Sequence, residues 1–234
     1  MKKIIYESLP STQTEARHCL EHTPTPYVIV TKNQTAGYGR YGRQWISSEG
    51  NFAATFVVDL NVAYDALSKV PMLIAVKLCQ LLTCLIGQSG EIKTKWPNDI
   101  LLNKKKICGI LIENINNKFL IGIGINLTYS PQREYVSYVA ANVLQETGVS
   151  IDIDTVLDAL SDYFENFDKA VTECDAVELR QQYMTRLEGI GHTIKVVTRN
   201  ETLSGVLQDI NINGALVLDI NGCSRLIYAA DIFI

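Results

Sequence analysis

The sequence predicts an α+β protein, with a mixed β-sheet flanked by helices and a small β-barrel at the C-terminal end. Three observations support this fold class. Apolar runs of strand length alternate with helical repeats over 1–188, and short alternating runs separated by turns fill 189–234. The 234 residues are 47% hydrophobic and 20% charged, and a chain of that size and composition buries about 70% of its unfolded surface. We therefore expect a folded protein with domains at 1–188 and 189–234.

Periodicity places the elements of the first domain in order along the chain. Runs of β-branched and aromatic residues predict strands at 27–31, 51–59, 91–95, 100–102, 106–113 and 119–127. Apolar residues at helical spacing predict helices at 11–22, 65–87, 153–167 and 176–187. Ser11 or Thr12 can cap the first helix, and Glu15 completes a capping-box pattern with Thr12. The turns at 103–105 and 114–117 are short, so their strands should form hairpins in an antiparallel or mixed sheet.

The second domain is predicted from shorter repeats. Alternating apolar runs predict strands at 193–198, 203–210, 215–220 and 225–232. Arg-Asn and Asn-Gly turns separate these runs. Short strands of this kind within about 45 residues predict a small β-barrel, and no segment of the sequence resembles a helix-turn-helix.

Several classes of protein are excluded by local composition. The longest apolar stretch, 70–87, contains Lys77, and a lysine at the centre of a membrane helix costs about 2.5–3.5 kcal/mol. The apolar stretch after Lys3 is too short for a secretion signal, so we expect a cytoplasmic protein without a membrane partner. The six cysteines form no C-x-x-C pair, which argues against disulfides and a zinc site. His18 and His22 lie four residues apart without a third ligand, which favours solvated side chains.

The first candidate site is the segment 34–50, which has neither helical nor strand periodicity. Loops longer than about 12 residues in compact domains are usually functional. Gly37, Gly39 and Gly42 satisfy the G-x-G-x-x-G pattern of a dinucleotide-binding turn. That turn must open a helix, whereas 43–50 has no helical period and ends in glycine before a strand. A dinucleotide fingerprint is therefore disfavoured.

The charge distribution suggests another role for the same loop. Residues 1–110 contain thirteen Lys and Arg against eight Asp and Glu, whereas residues 111–234 contain eight against seventeen. Arg40 and Arg43 lie among glycines, and guanidinium groups bind phosphate oxygens in pairs. The pattern indicates a local anionic ligand such as a phosphate, while the net charge of −4 argues against an extended nucleic-acid surface. An ordinary basic surface loop is the alternative.

An amine and a carboxylate are expected to converge at one edge of the predicted sheet. Lys95 and Asp99 flank a turn that contains Pro97 and Asn98, and Lys106 begins the next long strand. The turn residues need no function to explain them, and a lysine beside an apolar strand often only extends its stem along the surface. The proximity of the strand ends is what makes a binding site the stronger hypothesis.

Glycines on two strands complete the candidate site. Gly109 is the fourth residue of the strand that begins at Lys106, and Gly122 and Gly124 occupy alternate positions of the following strand. Residues two apart on a strand point to the same face, so these glycines would leave a slot that a ligand can enter. A slot with a lysine at its mouth and an arginine loop above it would hold a carboxylate ligand and a nucleotide together.

Four motifs in this order resemble those of the biotin protein ligases. They are Gly37-x-Gly-Arg-x-Gly-Arg-x-Trp45, Lys95-Trp-Pro-Asn-Asp99, Lys106-x-x-Gly-Ile-Leu111 and Gly122-Ile-Gly-Ile-Asn126. The resemblance covers essentially the whole chain and implies a mixed-sheet catalytic domain followed by an SH3-like β-barrel. It also implies that biotin and MgATP form biotinyl-5′-adenylate, which a lysine of a biotin carboxyl carrier protein domain then attacks. The type implied is monofunctional, without an N-terminal DNA-binding domain, so no DNA partner is expected.

The same resemblance implies roles for individual residues. Those implied for biotin binding are Ser11, Thr12, Gln34, Gly37, Gly39, Arg40, Lys106, Gly109, Gly122 and Gly124. Those implied for ATP binding are Arg43, Trp45, Lys95, Asn98, Asp99 and Asn126. Lys106, Arg40 and Arg43 would be catalytic, and Asp99 would hold Mg²⁺. Because a carboxylate attacks the α-phosphate without a protein nucleophile, catalysis should come from alignment and charge neutralisation.

The sequence departs from the family pattern at three places. Gln13 follows Ser-Thr where the family usually has Asn, Tyr38 replaces an Arg or Gln, and the arginine near the C-terminus of some members is absent. Two alternatives remain open: a lipoate-type ligase of the same fold, and a non-catalytic nucleotide- or carrier-binding module. The glycine-rich signature of lipoate ligases is absent, and a module would have no reason to keep Lys106 with both arginines. A homodimer is among the expected assemblies.

Overall fold

The computed structural model describes residues 1–136 and 138–234, which form a mixed sheet, a C-terminal sheet and a short hairpin. In chain order the strands are β1 Lys2–Leu9, β2 Tyr27–Gln34, β3 Gly37–Tyr38, β4 Gln44–Trp45, β5 Phe52–Asp59, β6 Ile92–Lys95, β7 Asp99–Leu102, β8 Lys105–Ile115, β9 Lys118–Ile125, β10 Thr193–Val197, β11 Thr202–Ile210, β12 Leu216–Ile220, β13 Cys223–Ile227 and β14 Asp231–Phe233. The α-helices are α1 Thr12–His18, α2 Tyr64–Leu67, α3 Val70–Ile86, α4 Val143–Thr147, α5 Ile153–Glu165, α6 Phe167–Thr172 and α7 Ala176–Met184.

The large sheet has seven strands in the order β1-β2-β5-β9-β8-β7-β6. β1 pairs with β2 in parallel, and the other neighbours are antiparallel. Two of the hairpins have two-residue turns with positive φ angles, 49° and 65° at Asn103 and Lys104 and 52° and 64° at Asn116 and Asn117. Such turns match the twist of paired strands. The predicted α+β class and mixed sheet are therefore confirmed.

The two faces of this sheet are covered differently, as β9 illustrates. Its odd-numbered residues, Phe119 to Ile125, belong to the main hydrophobic core together with residues of α3 and α5. On the opposite face, Leu120 packs in a smaller cluster with Ala16 of α1. Gly122 and Gly124 follow on that same face, beyond the short α1 helix. Because glycine has no side chain, this part of the face is left low enough to form the floor of a cavity.

Several predicted elements are interrupted in the structure. The helix predicted over 65–87 is two helices, α2 and α3, because Pro71 in the first turn of α3 has no N–H with which to continue the preceding helix. The run 225–232 is likewise two strands, β13 and β14. The segment 34–50 contains the β3–β4 hairpin and a 3₁₀ turn at Arg40–Gly42 rather than an unstructured loop.

The first helix also differs in its cap. Ser11 is the N-cap, and its hydroxyl accepts a hydrogen bond from the backbone N–H of Thr14 at 3.3 Å. The predicted capping box with Thr12 is wrong, because Ser11 is the N-cap and Thr12 is the first residue of the helix. The Glu15 carboxylate instead accepts a hydrogen bond from the Tyr6 hydroxyl at 2.8 Å. α1 is accordingly one short helix, followed by a 3₁₀ turn at Cys19–Glu21.

The C-terminal domain is a five-stranded antiparallel sheet in the order β13-β12-β11-β10-β14, which fits the predicted SH3-like barrel. It is joined to the first domain by partly buried hydrogen bonds. The Trp96 indole N–H donates to the carbonyl of Gly214 at 2.9 Å, and the Arg180 Nε donates to the carbonyl of Ile210 at 2.7 Å. A domain boundary at residue 188 stays a prediction.

The structure also describes the cysteines and the length of the helices. All six cysteines are free thiols. Among the described residues, no helix is both long enough and apolar enough to cross a membrane.

Asn51 should be a major contributor to stability, because its side chain holds the chain that follows β9. Its Oδ1 accepts hydrogen bonds from the backbone N–H groups of Leu127, Thr128 and Tyr129, each at 3.0 Å, and the side chain is 1% exposed. Asn51→Ala leaves these N–H groups without that acceptor and should lower the free energy of unfolding by about 2–4 kcal/mol. Urea unfolding measures this, with the exposed Asn33→Ala as control. Equal midpoints for the two variants would contradict the assignment.

Candidate active site

A cavity of about 590 Å³ lies over the glycine positions of β8 and β9. It is bounded by the start of α1, the β3–β4 hairpin, the turn after β6 and the last strand of the C-terminal domain. The charged residues that line it are Arg40, Arg43, Lys95, Lys104 and Lys106 against Asp99, Glu188 and Asp231. The surplus of cations means that the cavity attracts anions.

One end of the cavity is lined by neutral polar groups. The Gln34 Oε1 accepts hydrogen bonds from the backbone N–H of Thr12 at 2.9 Å and from its hydroxyl at 3.3 Å. The Thr55 hydroxyl lies 2.9 Å from the Thr12 hydroxyl and 3.1 Å from the Gln13 Oε1. Ser11 is 4% exposed at the same end. Buried hydroxyl and amide groups without a net charge suit a neutral hydrogen-bonding ligand group such as an amide or a urea.

The glycines on the cavity floor allow two protein side chains to lie against the sheet. A Cβ atom built on Gly124 would lie 2.4 Å from the indole of Trp45, and one on Gly109 would lie 3.0 Å from the same ring. A Cβ on Gly122 would lie 2.7 Å from the Gln13 Oε1. The predicted slot is therefore partly filled, because Trp45 and Gln13 take the space next to the glycines. Any ligand binds beside these two side chains rather than directly on the glycines.

The other end of the cavity contains the predicted amine and carboxylate. The Lys106 Nζ lies 2.7 Å from the Asp99 Oδ1, and only 15% of the Lys106 side chain is exposed. The ammonium also lies 4.6 Å from the ring centre of Tyr138 and 5.6 Å from that of Trp45. The Lys106 backbone N–H donates to the carbonyl of Val139, which fixes the strand end. An ammonium held by a carboxylate and two rings is positioned before any ligand arrives.

The arginine loop is attached to both domains. The Arg40 Nη1 donates to the Asn98 Oδ1 at 3.3 Å and to the carbonyl of Ala230 at 3.2 Å, and its Nη2 donates to the Tyr41 hydroxyl at 3.1 Å. Asn98 is itself fixed, because its Nδ2 donates to the carbonyl of Ile110 at 2.9 Å. Arg40 therefore connects the loop to the turn after β6 and to the C-terminal domain.

Arg43 and Tyr41 make the second attachment. The Arg43 Nη2 lies 2.7 Å from both carboxylate oxygens of Asp231. Tyr41 has a φ of 58°, uncommon for a residue with a side chain, and three guanidinium groups surround its ring. The distances from the guanidinium carbon Cζ to the centre of the Tyr41 ring are 5.1 Å for Arg40, 5.5 Å for Arg43 and 5.5 Å for Arg199. Asp231 and Arg199 are not among the predicted site residues, because no local pattern in the sequence marks either one.

Lys95 is a partly buried cation on this side of the cavity. Burial lowers the pKa of its ammonium, the carboxylate of Asp99 opposes that shift, and the charge of Lys106 adds to it. The ammonium also lies 5.8 Å from the ring centre of Phe233. Keeping the charged ammonium away from water makes the free energy of folding less favourable, and a bound anion would compensate for this loss.

Replacing Lys95 with methionine should separate stability from ligand binding. The side chain keeps its length but loses the buried charge, while Asp99 retains Lys106 as its partner. We expect a higher midpoint of thermal unfolding, together with about ten-fold weaker binding of an anionic nucleotide, because a hydrogen bond to a charged group contributes about 1.5–3 kcal/mol. Calorimetry and equilibrium binding of ATP measure the two effects. A less stable variant with unchanged ATP binding would show that Lys95 is only structural.

Two of the predicted site residues do not line the cavity. Asn126 is 2% exposed, and its Nδ2 donates to the carbonyl of Ala141 at 3.0 Å, so it holds the segment after β9 against the sheet. Its Oδ1 is buried without a hydrogen-bond partner among the described residues. At Gly37 a Cβ atom would lie 2.3 Å from the Gln34 Nε2. Gly37 therefore supports the position of Gln34 instead of facing the cavity.

The donor set suits a magnesium ion that is shared with a phosphate ligand. In the described part of the chain, no group of three or more His, Cys, Asp or Glu side chains is placed to hold a metal ion. Asp99 is one of three carboxylates that line the cavity, with Glu188 and Asp231, and Asp231 is paired with Arg43. Mg²⁺ usually keeps several waters and is held by one or two carboxylates together with substrate phosphates, which one aspartate can satisfy.

Comparisons with known proteins agree with this geometry. The model of the biotin/lipoate A/B protein ligase family matches residues 5–130. A biotin–[acetyl-CoA-carboxylase] ligase of Paracoccus denitrificans is 30% identical over 213 residues, which are 88% of this chain and 89% of the relative. The bifunctional ligase/repressor BirA of Bacillus subtilis is 30% identical over 98% of this chain and 73% of its own length.

Solved structures show the same fold. A crystal structure of the biotin protein ligase from Aquifex aeolicus has a TM-score of 0.82 at 20% identity, and covers 100% of this chain and 98% of that one. The same ligase in complex with biotin and ATP has a TM-score of 0.80 at 22% identity, with coverages of 99% and 97%. The match to the family model includes more than half of the chain, and the Paracoccus relative aligns over nearly its whole length. This chain belongs to the biotin/lipoate A/B protein ligase family.

Proposed function

We propose that this protein is an ATP-dependent biotin protein ligase that acts through biotinyl-5′-adenylate. The observation that carries the proposal is a single cavity with a neutral hydrogen-bonding end and a cationic end. Biotin has matching chemistry, with an uncharged ureido ring at one end and a carboxylate at the other. Thr12 and Gln34 would face the ring, and Lys106 would face the carboxylate.

The first step joins the two substrates. A carboxylate oxygen of biotin attacks the α-phosphorus of ATP, a P–O bond forms, and the bond from that phosphorus to the bridging oxygen breaks. Pyrophosphate leaves with the electron pair. Lys106 would neutralise charge where the carboxylate and the α-phosphate approach each other, and Arg43 would stabilise phosphate charge. Stabilisation of this kind by fixed cations is usually the largest catalytic term in such a site.

The second step transfers the biotinyl group to the carrier domain. The neutral amine of a carrier lysine attacks the acyl carbon of the adenylate, the amide bond forms, and AMP leaves with the electron pair of the acyl–oxygen bond. The amine loses one proton to solvent. The arginine loop encloses the adenylate until the carrier lysine reaches it, so the loop limits attack by water.

Magnesium would accompany ATP in this reaction. When bound, it would neutralise phosphate charge and orient the leaving pyrophosphate. Asp99 would be the carboxylate that holds it, and Lys106 beside Asp99 would keep that carboxylate in place.

Biotin-dependent exchange of pyrophosphate into ATP tests the proposal. We expect exchange with biotin and MgATP, no exchange when biotin is omitted, and little exchange when lipoate replaces biotin. Adding a biotin carboxyl carrier domain should then convert the adenylate into labelled carrier and AMP. Exchange with lipoate alone would favour the lipoate-type alternative, and binding of ATP without exchange would favour a non-catalytic module.

We further propose that the protein does not bind duplex DNA specifically and acts in the cytoplasm. The cations near the cavity line a small-molecule site and do not form the extended basic surface that binds a duplex. A gel-shift assay should show no sequence-specific retention that survives added salt, and retention of that kind would contradict the proposal. A homodimer stays a prediction, which sedimentation can test.

A further inference from the structure

Gln13 closes the neutral end of the cavity with an amide that the protein holds from both sides. The residue is 3% exposed and lines the cavity. Its Nε2 donates to the Glu113 Oε2 at 2.9 Å and to the carbonyl of Leu120 at 3.2 Å, and its Oε1 accepts from the Thr55 hydroxyl at 3.1 Å. Because a carboxylate only accepts hydrogen bonds, the NH₂ group must face Glu113. The carbonyl oxygen of the amide therefore has one orientation, toward Thr55 and the sheet.

The sheet under this amide is shaped to fit it. A Cβ on Gly122 would lie 2.7 Å from the Gln13 Oε1, whereas its next neighbours, the Gln13 Cδ and the Leu111 carbonyl oxygen, would lie at an ordinary 3.5 Å. Of the three nearest atoms, only the Gln13 Oε1 would be closer than an ordinary contact, so Gly122 leaves room for the Gln13 amide in the position that its hydrogen bonds give it. An asparagine at position 13 would be shorter by one methylene and would not reach this point.

A surface ion pair fixes the outer side of the same network. The Arg17 Nη2 lies 2.9 Å from the Glu113 Oε2, the oxygen that also accepts from Gln13. The side chains of Arg17 and Glu113 are 49% and 25% exposed. Dissolved salt weakens this ion pair by screening. The pair still keeps the Glu113 carboxylate in the position from which the carboxylate holds the Gln13 amide. The hydrogen-bond network thus runs from Arg17 at the protein surface to Gln13 at the neutral end of the cavity.

We propose that Gln13 and Gly122 form a complementary pair that sets the depth of the biotin slot, with Glu113 holding the Gln13 amide in place. The inference rests on the proposed function, because it names biotin as the ligand whose ring reaches this end. Gln13 is a positioning residue, since the protein satisfies both ends of its amide. Substitution of Gln13 should change the binding of biotin and leave that of ATP unchanged. Asp99 is in register with Gly109 and Gly124 under the Trp45 ring, whereas Gln13 lies over Gly122, two residues away along β9.

Kinetics of Gln13→Asn provide the first test. The shorter side chain leaves a gap of one methylene at the end of the slot and loses its contact with Glu113. We expect the KM for biotin in pyrophosphate exchange to rise at least about four-fold, the factor that corresponds to one buried methylene. The KM for ATP should stay within two-fold. The exposed Gln208→Asn, the same chemical change on the C-terminal domain, is the matched control and should leave both constants unchanged.

A double-mutant cycle with Gly122→Ala provides the decisive test. Alanine alone should push the Gln13 amide out of place and lower kcat/KM for biotin at least about ten-fold. Gln13→Asn in the same chain removes the opposing atom, so the double variant should recover at least three-fold over Gly122→Ala. Additive effects of the two changes would overturn the proposal, because non-additivity is the signature of direct contact.

Folding and function are distinguished by two further measurements. Melting curves show whether Gly122→Ala is folded. If it is not, Glu113→Ala replaces it and should raise the KM for biotin while leaving that for ATP unchanged. An unchanged biotin KM in both Gln13→Asn and Glu113→Ala would overturn the inference. Absence of biotin-dependent exchange in the unmodified protein would instead contradict the proposed function itself.

Discussion

Replacing Lys106 with alanine should lower biotin-dependent pyrophosphate exchange by about a hundred-fold or more. The ammonium lies 2.7 Å from Asp99 at the cationic end of the cavity and is largely buried. Loss of one preorganised transition-state contact in such a site costs about 2.7–4 kcal/mol. The fold should survive, because the Lys106 side chain lies in the cavity while its strand is held by pairing with β7 and β9. Initial rates of exchange and circular dichroism measure the two expectations.

Lys105 offers a matched control on the same strand. Its ammonium lies 2.7 Å from the Glu146 Oε1, and the residue does not line the cavity. Lys105→Ala should therefore keep exchange within about two-fold of the unmodified protein. If Lys106→Ala retained more than a tenth of normal exchange while folded, Lys106 would have no part in charge neutralisation.

Local patterns predicted those features of the fold that depend on neighbours in sequence. The hairpins at Asn103 and Asn116 followed from short turns between apolar runs, and the structure contains both. Asp99 and Lys106 were expected to approach because both lie at ends of adjacent strands, and they form an ion pair. The parallel pairing of β1 with β2 was not predicted, because pairing between distant strands is decided by packing and leaves no local signal.

Contacts between the two domains were also beyond sequence reasoning. Arg40 contacts the carbonyl of Ala230, and Arg43 contacts Asp231, across almost the whole length of the chain. Neither C-terminal residue belongs to a recognisable motif. Likewise, the glycines at 122 and 124 predicted an open slot, since the pattern alone cannot show that Gln13 and Trp45 occupy the adjacent space. Each of these contacts joins residues that lie far apart in the sequence, so only the folded structure shows them.

Arg40→Gly should release the adenylate more than it slows adenylate synthesis. The guanidinium connects the loop to Asn98, Ala230 and the Tyr41 hydroxyl. Each such hydrogen bond contributes about 0.5–1.5 kcal/mol net, and glycine also gives the loop backbone more freedom. An open loop lets the reactive intermediate escape before a carrier lysine arrives. Escaped adenylate acylates exposed lysines on unrelated proteins. We expect Arg40→Gly to attach about ten-fold more biotin to such proteins than the unmodified enzyme does.

The measurement compares biotin on a bystander protein after incubation with biotin, MgATP and each enzyme. Adenylate synthesis must first be confirmed in both by pyrophosphate exchange, so that labelling reports escape rather than rate. Arg225→Gly is the control, because Arg225 pairs with Glu201 on the outer surface of the C-terminal domain and does not line the cavity. That variant should label no more than the unmodified enzyme. Equal bystander labelling by Arg40→Gly and the control would mean that the anchors seen at Arg40 do not retain the intermediate, and that the Arg43–Asp231 pair alone is sufficient to hold the loop.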